Sequence, residues 1–523
     1  MVINLRTINR TNRKEILILM LCLVIGFALR FYTFDRKSLW LDEIYTFQDS
    51  RDGFKGQLEF YKENPTFLQA PLFFVLTHQF YPFTKPERDL RIIPMVFGTL
   101  SILLFYFLSR SFSPAIALPC TLSLTFMTYH ISLSQDGRSY SLLMFLGMAG
   151  LYFFIKHLQT SKKGYLVVVA LFFSLLFYTS YSSIPFIVFS QVLWFYRPSE
   201  DQSSPRFSSF LILNGLILLF CLPWLLFLAT HLRGQPLIAP LHTEDPGSIW
   251  SILYRVLQDW VPNSLLTIIS VILFMLLPFF SIFRRNALVL LAVFVLPIVG
   301  LYLFCRLFNF THFVTSRYLI NFLPLFLVTL YLSLGAVEMK FERLKRFLRL
   351  RLVFLILFIA SNMIILPLYY HSEKQDFRGL VRYLMVHLQE DDKIIVGTRI
   401  YFNGLLHYFG IHALKNREYM LHYRNVSENE VEYFISLAYG GKKFTISHSR
   451  TYWTRYIAER NRVWFVLDKK TAEEIQENYP FTLNGYFDGS FLNHIRFPTD
   501  VSMYLLLCDP KSPGGKGIDM PRE

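Results

Sequence analysis

The stretch GYLVVVALFFSLLFYTSYSSIPFIVFSQVLWFY, residues 164–196, is a largely apolar run interrupted by the polar insert TSYSS. A helix needs about 20 apolar residues to cross the hydrocarbon core of a bilayer. The stretch therefore fits one very long helix or two short ones. The choice decides on which side of the membrane every later loop lies.

The charges of the flanking loops favour two helices. If 164–196 is two helices, the basic stretches share one side with the basic N-terminus, as the positive-inside rule requires. These stretches are 156–163, 197–206, 284–285 and 338–351. A single helix would put the last two on the opposite side. The pattern predicts a break at TSYSS and a cytoplasmic N-terminus, where the basic residues are Arg6, Arg10, Arg13 and Lys14.

The composition is typical of a membrane protein. Of 523 residues, 53% are apolar and 17% charged, with 54 Phe, 30 Tyr and a mean hydropathy of +0.37. We predict a mainly α polytopic fold with about eleven transmembrane helices. The predicted spans are 16–34, 90–109, 115–132, 141–155, 164–181, 183–196, 208–230, 263–282, 287–304, 318–337 and 351–369. The first is predicted to be retained, because no small-residue cleavage site follows it.

The net charge of +15 does not indicate nucleic-acid binding, because the basic residues are concentrated in the short loops between apolar segments. The five cysteines show neither a disulfide framework nor metal-ligand spacing. The sequence contains no GxxxxGK[ST] or GxGxxG phosphate loop, so no motif for ATP binding is visible in it.

Two domains follow from this topology. Residues 1–369 are predicted to be the transmembrane domain, with external loops at 35–89, 133–140, 231–262 and 305–317. Residues 370–510 are predicted to form a small external α/β domain, and 511–523 a disordered tail. Four segments of the α/β domain read as strands and two as helices. The strands are 393–397, 442–447, 462–468 and 503–508, and the helices are 377–389 and 471–479.

Ionisable residues and tyrosines cluster in three external loops. The candidates are Asp42 and Glu43 in DRKSLWLDEIYTF (35–47), Asp136, Arg138 and Tyr140 in HISLSQDGRSYSLL (130–143), and His312, Arg317 and Tyr318 in RLFNFTHFVTSRYL (306–319).

Each candidate taken alone has a plainer explanation. Asp42 alone fits a solvated surface charge as well as it fits a catalytic acid. Arg317 alone fits an arginine that anchors a helix end at the membrane interface. His312 fits a structural hydrogen bond better than metal binding, because no histidine pair has zinc-like spacing.

Together the candidates point to chemistry on one face. A carboxylate beside apolar walls can act as a general base. The planar donor fork of an arginine suits a phosphate. A base and a phosphate-binding cation at the lipid–water boundary suit a substrate with a lipid tail and a phosphate head.

Four motifs in order resemble the C-type membrane glycosyltransferases (GT-C), in the branch of the protein O-mannosyltransferases and the lipid A aminoarabinose transferase. LWLDEIYTF resembles their Asp-Glu loop, and ERDLRIIPMVFGTLS (87–101) the entry to their second helix. SQDGRSYSL (134–142) resembles a Gln-Glu-x-Arg-x-Tyr motif, with Asp136 where Glu is usual. SRYLINFLPLF (316–326) resembles their Arg-Tyr-Leu…Pro motif. A fifth stretch, QDFRGLVRYL (375–384), which opens the external α/β domain, also recurs in the family.

The resemblance implies an inverting transferase that takes a sugar from a polyprenyl-phosphate donor. Asp42 would be the base, with Glu43 as its neighbour. Asp136 would hold the acceptor or assist the base, and its shorter side chain leaves that role open. Arg138 and Tyr140 would organise the loop, and Arg317 would sit near the leaving phosphate, in the loop that also carries Tyr318 and His312.

The acceptor is left open among lipid, polysaccharide and protein, in an inner-membrane location with the site outside. No metal site is predicted, although a divalent metal stays open as a cofactor. Two alternatives from other classes remain, namely a transporter or flippase of lipid-linked sugars and a non-catalytic envelope assembly protein. A transporter would require polar residues near mid-bilayer and inverted repeats, and neither is evident in the sequence.

Overall fold

The computed structural model describes residues 13–63, 69–197, 207–231, 248–279, 284–308, 315–341, 349–411, 422–427, 430–448, 462–478, 481–489 and 501–509. Helices dominate this part of the chain. The α-helices are α1 (Arg13–Phe31), α2 (Leu41–Arg51), α3 (Gly53–Glu63), α4 (Leu72–His78), α5 (Pro86–Asp89), α6 (Ile92–Phe112), α7 (Pro114–Phe126), α8 (Thr128–Ser134), α9 (Tyr140–Thr160), α10 (Gly164–Thr179), α11 (Ile184–Phe189), α12 (Phe207–His231), α13 (Ile249–Trp260), α14 (Ser264–Leu276), α15 (Arg284–Phe308), α16 (Leu323–Lys340), α17 (Leu350–His371), α18 (Phe377–His387), α19 (Arg399–Tyr408) and α20 (Lys469–Asn478).

The strands lie in the C-terminal part. They are β1 (Asp392–Val396), β2 (His422–Ser427), β3 (Glu430–Tyr439), β4 (Lys442–His448), β5 (Val463–Leu467), β6 (Thr482–Phe487) and β7 (Met503–Cys508). The described chain divides into two compact units. The first holds residues 1–34, 52–82 and 89–367, and the second holds 35–51, 83–88 and 368–523.

All eleven predicted spans lie largely on helices, but not all of them are established as membrane crossings. Within the described ranges, six helices are long and apolar enough to span a bilayer, and two bent helix pairs raise the number to eight. The pairs are α7 with α8, bent by 59°, and α13 with the helical segment beginning at Ser264, bent by 115°. The remaining three segments, in α1 and on both sides of Ser180, are shorter or more charged. The chain is therefore a multi-pass membrane protein, with eleven helices as a prediction.

The break predicted at TSYSS is present. α10 ends at Thr179, and Ser180 adopts an extended conformation with φ −166° and ψ 138°. The Ser180 hydroxyl oxygen accepts a hydrogen bond from the backbone N–H of Ser182 and so starts the next helical turn. The polar insert thus ends one helix and begins another.

Three polar links join pairs of helix ends. The Arg110 guanidinium lies 2.7 Å from the Glu15 carboxylate, and Arg351 lies 2.7 Å from Glu338. The Asn286 side chain donates to the carbonyl of residue 197, at 2.8 Å, and accepts from its N–H, at 3.0 Å. Each link joins two chain segments that the charge pattern places on the cytoplasmic side.

The bend between α7 and α8 has no local cause. Pro119 lies inside α7 without ending it, and the helix stops instead at Met127, whose backbone is extended. Neighbouring helices satisfy the backbone groups that the break frees. Arg30 of α1 donates to the carbonyls of Leu124, at 3.0 Å, and Thr125, at 3.3 Å. Such partners are what allow a broken helix inside a membrane.

The second unit contains a seven-stranded sheet in the order β2-β3-β4-β1-β5-β7-β6. β1 pairs in parallel with β4 and β5, while β7 is antiparallel to β5 and β6. The four predicted strands correspond to β1, β4, β5 and β7, and the two predicted helices to α18 and α20. β2, β3, β6 and α19 were not predicted.

The predicted external loops contain helices. The described residues of 35–89 hold α2 to α5, and those of 231–262 hold α13. α13 has one face buried around Ile252, Val256 and Trp260. Trp250, 71% exposed, lies on the other face. An aromatic residue on the open face of an amphipathic helix is typical of the membrane interface.

Candidate active site

Asp42 and Glu43 occupy the first turn of α2, in the second unit. Glu43 is fully buried, and its Oε2 accepts a hydrogen bond from the backbone N–H of Trp40 at 3.4 Å. Trp40 directly precedes the helix, so this contact is the acidic half of a capping box. Glu43 therefore has a structural role in starting the helix.

Asp42 lies at the second position of α2 and is only partly buried. Its negative charge is favoured there by the N-terminal end of the helix dipole. Because the backbone carbonyl of Asp42 accepts a hydrogen bond from Thr46 at 3.2 Å, its position is fixed by the helix. Of the two neighbouring acids, Asp42 is the one that solvent reaches.

The segment before α2 is fixed to the start of the α/β domain. Lys37 donates to the carbonyl of Ser372 at 2.5 Å, and its ammonium lies 3.8 Å from the ring centroid of Tyr369. The Ser38 N–H donates to Glu373 at 3.0 Å, and the Leu41 N–H to Gln375 at 2.8 Å. These contacts bring the two motifs LWLDEIYTF and QDFRGLVRYL together.

Tyr408, the last residue of α19, connects three segments of the second unit. Its hydroxyl accepts hydrogen bonds from the Leu39 N–H at 2.7 Å and the Ser38 hydroxyl at 3.1 Å. It donates in turn to Glu87 Oε1 at 3.1 Å. Burial raises the pKa of Tyr408 well above its ordinary value, and the Glu87 carboxylate adds to the shift. The phenol therefore stays protonated and keeps donating throughout the neutral range.

In the first unit, α8 carries the QDGRSY motif at its C-terminal end and is held at its first three residues. The Thr128 N–H donates to Asn362 Oδ1 of α17 at 2.8 Å. The Tyr129 hydroxyl donates to the Ser316 hydroxyl at 2.9 Å. His130 Nδ1 lies 2.7 Å from an Arg30 nitrogen. Each contact is to a different part of the chain.

The Arg30–His130 contact defines the state of the histidine. A guanidinium can only donate, so Nδ1 of His130 accepts and the ring is neutral, with its proton on Nε2. Both side chains are fully buried. Gln135, at the other end of α8, donates to the carbonyls of Arg30, at 2.8 Å, and Tyr32, at 2.6 Å. α8 is therefore fixed to α1 at both ends.

Close packing of α6 also positions α8. A Cβ atom at Gly98 would come within 2.1 Å of the Ser134 hydroxyl oxygen. Gly98 belongs to the motif ERDLRIIPMVFGTLS. Its lack of a side chain is thus what permits α8 to approach α6.

Asp136 is buried on the turn between α8 and α9, Tyr140 is buried at the start of α9, and Arg138 is partly exposed. The Arg138 N–H donates to the Asp136 carbonyl at 2.6 Å, which tightens the turn. Tyr140 begins α9. Through the Tyr129 hydroxyl, the structure joins α8, which leads into the second predicted loop, to Ser316 in the third.

Arg317 and Tyr318 lie on a turn before α16. Both are partly buried, and the guanidinium of Arg317 lies 5.8 Å from the ring centroid of Tyr318. The preceding residue, Ser316, is buried and donates to Asp259 Oδ2 at 2.5 Å. His312 falls outside the described residues.

Sequence reasoning missed several polar residues. Asp259, Tyr129 and Arg30 all contact the motif segments, yet they lie within apolar stretches or in a supposed loop. Spacing on α13 would have found Asp259, because Ile252, Val256 and Trp260 recur with helical period beside it. Nothing local singles out Arg30 or Tyr129.

No three His, Cys, Asp or Glu side chains gather as a metal-binding group within the described ranges. Asp136 and Asp259 of the first unit are both buried, and the Asp259 carboxylate accepts a hydrogen bond from the Ser316 hydroxyl. A divalent metal remains an open expectation for this chain.

Comparisons with known proteins place the fold. The chain matches no family model and no curated protein. Among solved structures it is similar to ArnT from Cupriavidus metallidurans in the apo state, with a TM-score of 0.52 and 12% identity over 96% of this chain and 98% of that one. ArnT bound to undecaprenyl phosphate gives a TM-score of 0.48 at 12% identity, covering 94% and 97%. The Archaeoglobus fulgidus oligosaccharyltransferase, tethered with an acceptor peptide, gives 0.40 at 12% identity, covering 75% and 62%. The match to apo ArnT shows that this chain has an ArnT-like fold.

Proposed function

We propose that this chain is an inverting glycosyltransferase that moves a sugar from a polyprenyl-phosphate donor to an acceptor hydroxyl outside the cytoplasm. The observation that carries the proposal is the ArnT-like fold over 96% of the chain, together with the four ordered motifs. In this fold the motif residues lie on anchored elements: Asp42 on α2, Asp136 after α8 and Arg317 beside the fixed Ser316.

The orientation follows from charge. With the basic loops in the cytoplasm, the ends of α1 and α8 and the turn before α16 face outward. The proposed location is the inner membrane, with the α/β domain in the periplasm. A lipid-linked donor fits this side, because its sugar is delivered at headgroup depth and needs no nucleotide.

Asp42 is the proposed general base. Its carboxylate takes the proton of the acceptor hydroxyl, whose oxygen forms the new bond to the anomeric carbon of the sugar. The bond from that carbon to the phosphate oxygen breaks, and the electron pair leaves with the polyprenyl phosphate. A single displacement inverts the anomeric centre. General base catalysis of this kind contributes about 10²–10⁴-fold.

Arg317 is the proposed partner of the leaving phosphate. Its guanidinium offers paired donors that match phosphate oxygens, and negative charge on those oxygens grows as the bond breaks. Tyr318 packs beside it, and His312 is assigned to the same loop. Asp136, with Arg138 and Tyr140, is assigned to the acceptor side.

Among lipid, polysaccharide and protein acceptors, the sequence favours a lipid or a polysaccharide. In the resembling protein mannosyltransferases an extra domain occurs in a middle loop, and the sequence of this chain contains no such insertion. The α/β domain, joined through Tyr408 and Gln375 to the segment that carries Asp42, is the part suited to guide the acceptor to the base.

The test is transfer in detergent from a radiolabelled polyprenyl-phosphate sugar to an envelope lipid or glycan fraction. Wild type is expected to form a new glycosidic bond. Asp42→Asn and Arg317→Ala are expected to lose at least about 100-fold in rate. Asp35→Asn, an exposed acid in the same motif, is the matched control and should transfer normally.

Two results would overturn the proposal. Normal transfer by Asp42→Asn would remove the base assignment. Movement of intact lipid-linked sugar across vesicles, without a new glycosidic bond, would identify a transporter instead.

A further inference from the structure

A chain of three hydrogen-bonded side chains runs through the first unit beside Arg317. The Tyr129 hydroxyl donates to Ser316 Oγ at 2.9 Å, and Ser316 donates its own proton to Asp259 Oδ2 at 2.5 Å. All three residues are buried, with Asp259 the most accessible at 8%. Because a serine hydroxyl has one proton, the direction of the chain is fixed and ends at the carboxylate.

Asp259 sits where the chain is firmly held. It lies in the last turn of α13, before the 115° bend that leads into α14. The Gln258 side chain donates to Thr267 Oγ1 at 2.9 Å, and Thr267 donates to the Val261 carbonyl at 3.0 Å. Asn263 caps α14 by accepting from two backbone N–H groups at its start. These hydrogen bonds within the bend fix its geometry and therefore the position of Asp259.

Arg317 is carried by the turn that Ser316 fixes. The N–H groups of Tyr318 and Leu319 both donate to the Thr315 carbonyl, at 3.1 and 3.2 Å. This closes the backbone around Ser316 and Arg317. Any displacement of Ser316 therefore displaces the base of the Arg317 side chain.

We propose that Asp259 is a positioning residue for Arg317, acting through Ser316 to fix the turn from which the guanidinium reaches the phosphate of a polyprenyl-phosphate ligand. This rests on the proposed function and deepens it, because it names what holds the phosphate-binding cation in place. The carboxylate acts as a hydrogen-bond acceptor and not as an acid or base.

If Asp259 positions Arg317 as a hydrogen-bond acceptor, two substitutions of Asp259 should have different effects. Asp259→Asn retains an oxygen that can accept from Ser316 and should keep the turn in place. Asp259→Ala leaves the Ser316 proton without its acceptor and frees the turn. If Asp259 instead acted through its charge, both substitutions would be equally harmful.

The experiment measures binding of radiolabelled polyprenyl phosphate, without sugar, to the full-length protein in detergent, alongside donor KM and kcat. Asp259→Ala should weaken binding and raise donor KM by about 10-fold, the effect of one lost buried hydrogen bond to a charged group. Its kcat should stay within about threefold of wild type. Asp259→Asn should restore binding to within about threefold of wild type.

A double-variant comparison tests whether the effect passes through Arg317. In the Arg317→Ala background, Asp259→Ala should change phosphate binding by less than about twofold, because the group it positions is already gone. Ser316→Ala should reproduce the effect of Asp259→Ala. Ser333→Ala is the matched control, since the buried Ser333 hydroxyl donates only to the Thr329 carbonyl of its own helix, at 2.8 Å.

The outcomes are distinct. If wild type transfers sugar and binds polyprenyl phosphate, and Asp259→Ala binds polyprenyl phosphate equally well, the inference is overturned and the proposed function is not. If Asp259→Asn binds polyprenyl phosphate as weakly as Asp259→Ala, the positioning role is overturned, because the effect of Asp259 then comes from its charge. Wild type that neither binds polyprenyl phosphate nor transfers sugar would overturn the proposed function and the inference with it. Thermal melting of each variant separates these results from misfolding.

Discussion

The Tyr408 hydroxyl donates to Glu87 Oε1 at 3.1 Å while accepting from the Leu39 N–H at 2.7 Å. One side chain from the α/β domain thus joins two segments that lie far from it in sequence. Arg378 adds a second link to Glu87, at 3.4 Å. The start of α2, and with it Asp42, is held by residues more than three hundred positions away.

Removal of the Tyr408 hydroxyl should therefore damage activity as well as stability. Tyr408→Phe leaves the Leu39 N–H without its acceptor, which costs about 1–3 kcal/mol in the free energy of unfolding. We expect a lower melting temperature and a reduced kcat at saturating donor. Tyr401→Phe is the control, because the Tyr401 hydroxyl, in the same helix, donates to the Ser502 carbonyl at 3.1 Å. It should lower stability without lowering kcat; equal losses of kcat in both variants would contradict the assignment.

The pH dependence of this contribution has a defined sign. Because the pKa of Tyr408 is raised on folding, its stabilising effect is complete below the unfolded value of about 10 and is lost only as the pH rises through the folded value. The difference in melting temperature between wild type and Tyr408→Phe should then be equal at about pH 6 and about pH 9. A difference that shrinks across this range would show that another group titrates in the cluster.

Neighbouring acids on α2 should respond differently to neutralisation. Glu43→Gln keeps an oxygen for the Trp40 N–H and should retain most activity, whereas Glu43→Ala removes the cap and should cost about 0.5–2 kcal/mol. Asp42→Asn should instead lower kcat by about 10²–10⁴-fold with little change in melting temperature. Initial rates and melting curves for the three variants decide this; a Glu43→Gln protein as inactive as Asp42→Asn would assign Glu43 to the chemistry.

Arg30 should be more important for stability than any exposed arginine. Arg30→Met leaves the carbonyls of Leu124 and Thr125 unsatisfied inside the helix bundle, at about 1–3 kcal/mol for each lost partner. The control is Arg110→Met, at a helix end, whose ion pair with the partly exposed Glu15 is worth about 1 kcal/mol or less. Melting in detergent measures both, and equal losses would show that the broken helix does not depend on α1.

Arg317→Lys tests whether the phosphate is bound by geometry or by charge alone. Lysine keeps the positive charge but lacks the planar fork. We expect donor KM to lie between those of wild type and Arg317→Ala, with a rise of about 10-fold over wild type. Arg382→Lys, on the exposed face of α18, should leave it unchanged. A lysine variant with wild-type KM would reduce the role of Arg317 to charge.

Sequence reasoning succeeded where a local pattern or a charge balance determined the structure. The break at TSYSS followed from the positions of basic loops, and the four predicted strands followed from short β-branched and aromatic runs. It could not find the break at Met127. The residue type that usually ends a helix, Pro119, lies inside α7, whereas the helix ends at Met127, a residue with no helix-breaking tendency. The cause lies in Arg30 and Asn362, which only the tertiary structure brings there.

The same limit applies to the candidate site. The motif residues Asp42, Asp136 and Arg317 could be listed from sequence, but their roles stay predictions. What holds them could not be listed, since Tyr408 occurs in a segment without any distinguishing pattern and the contact of Asp259 with Ser316 spans 57 positions. Residues that act by touching a partner far along the chain leave no trace in local periodicity.

The contact between Arg30 and the end of α7 has a consequence for how the protein is made. Arg30 is synthesised with the first helix, whereas Leu124 and His130 follow 94 and 100 residues later. At the end of α1 the guanidinium can remain among lipid headgroups, where charge is cheap, until these partners emerge. Burial of the Arg30 side chain therefore accompanies the packing of the first helix against the later helices. A ribosome stalled before residue 124 would leave a chain that is inserted in the membrane but not yet packed.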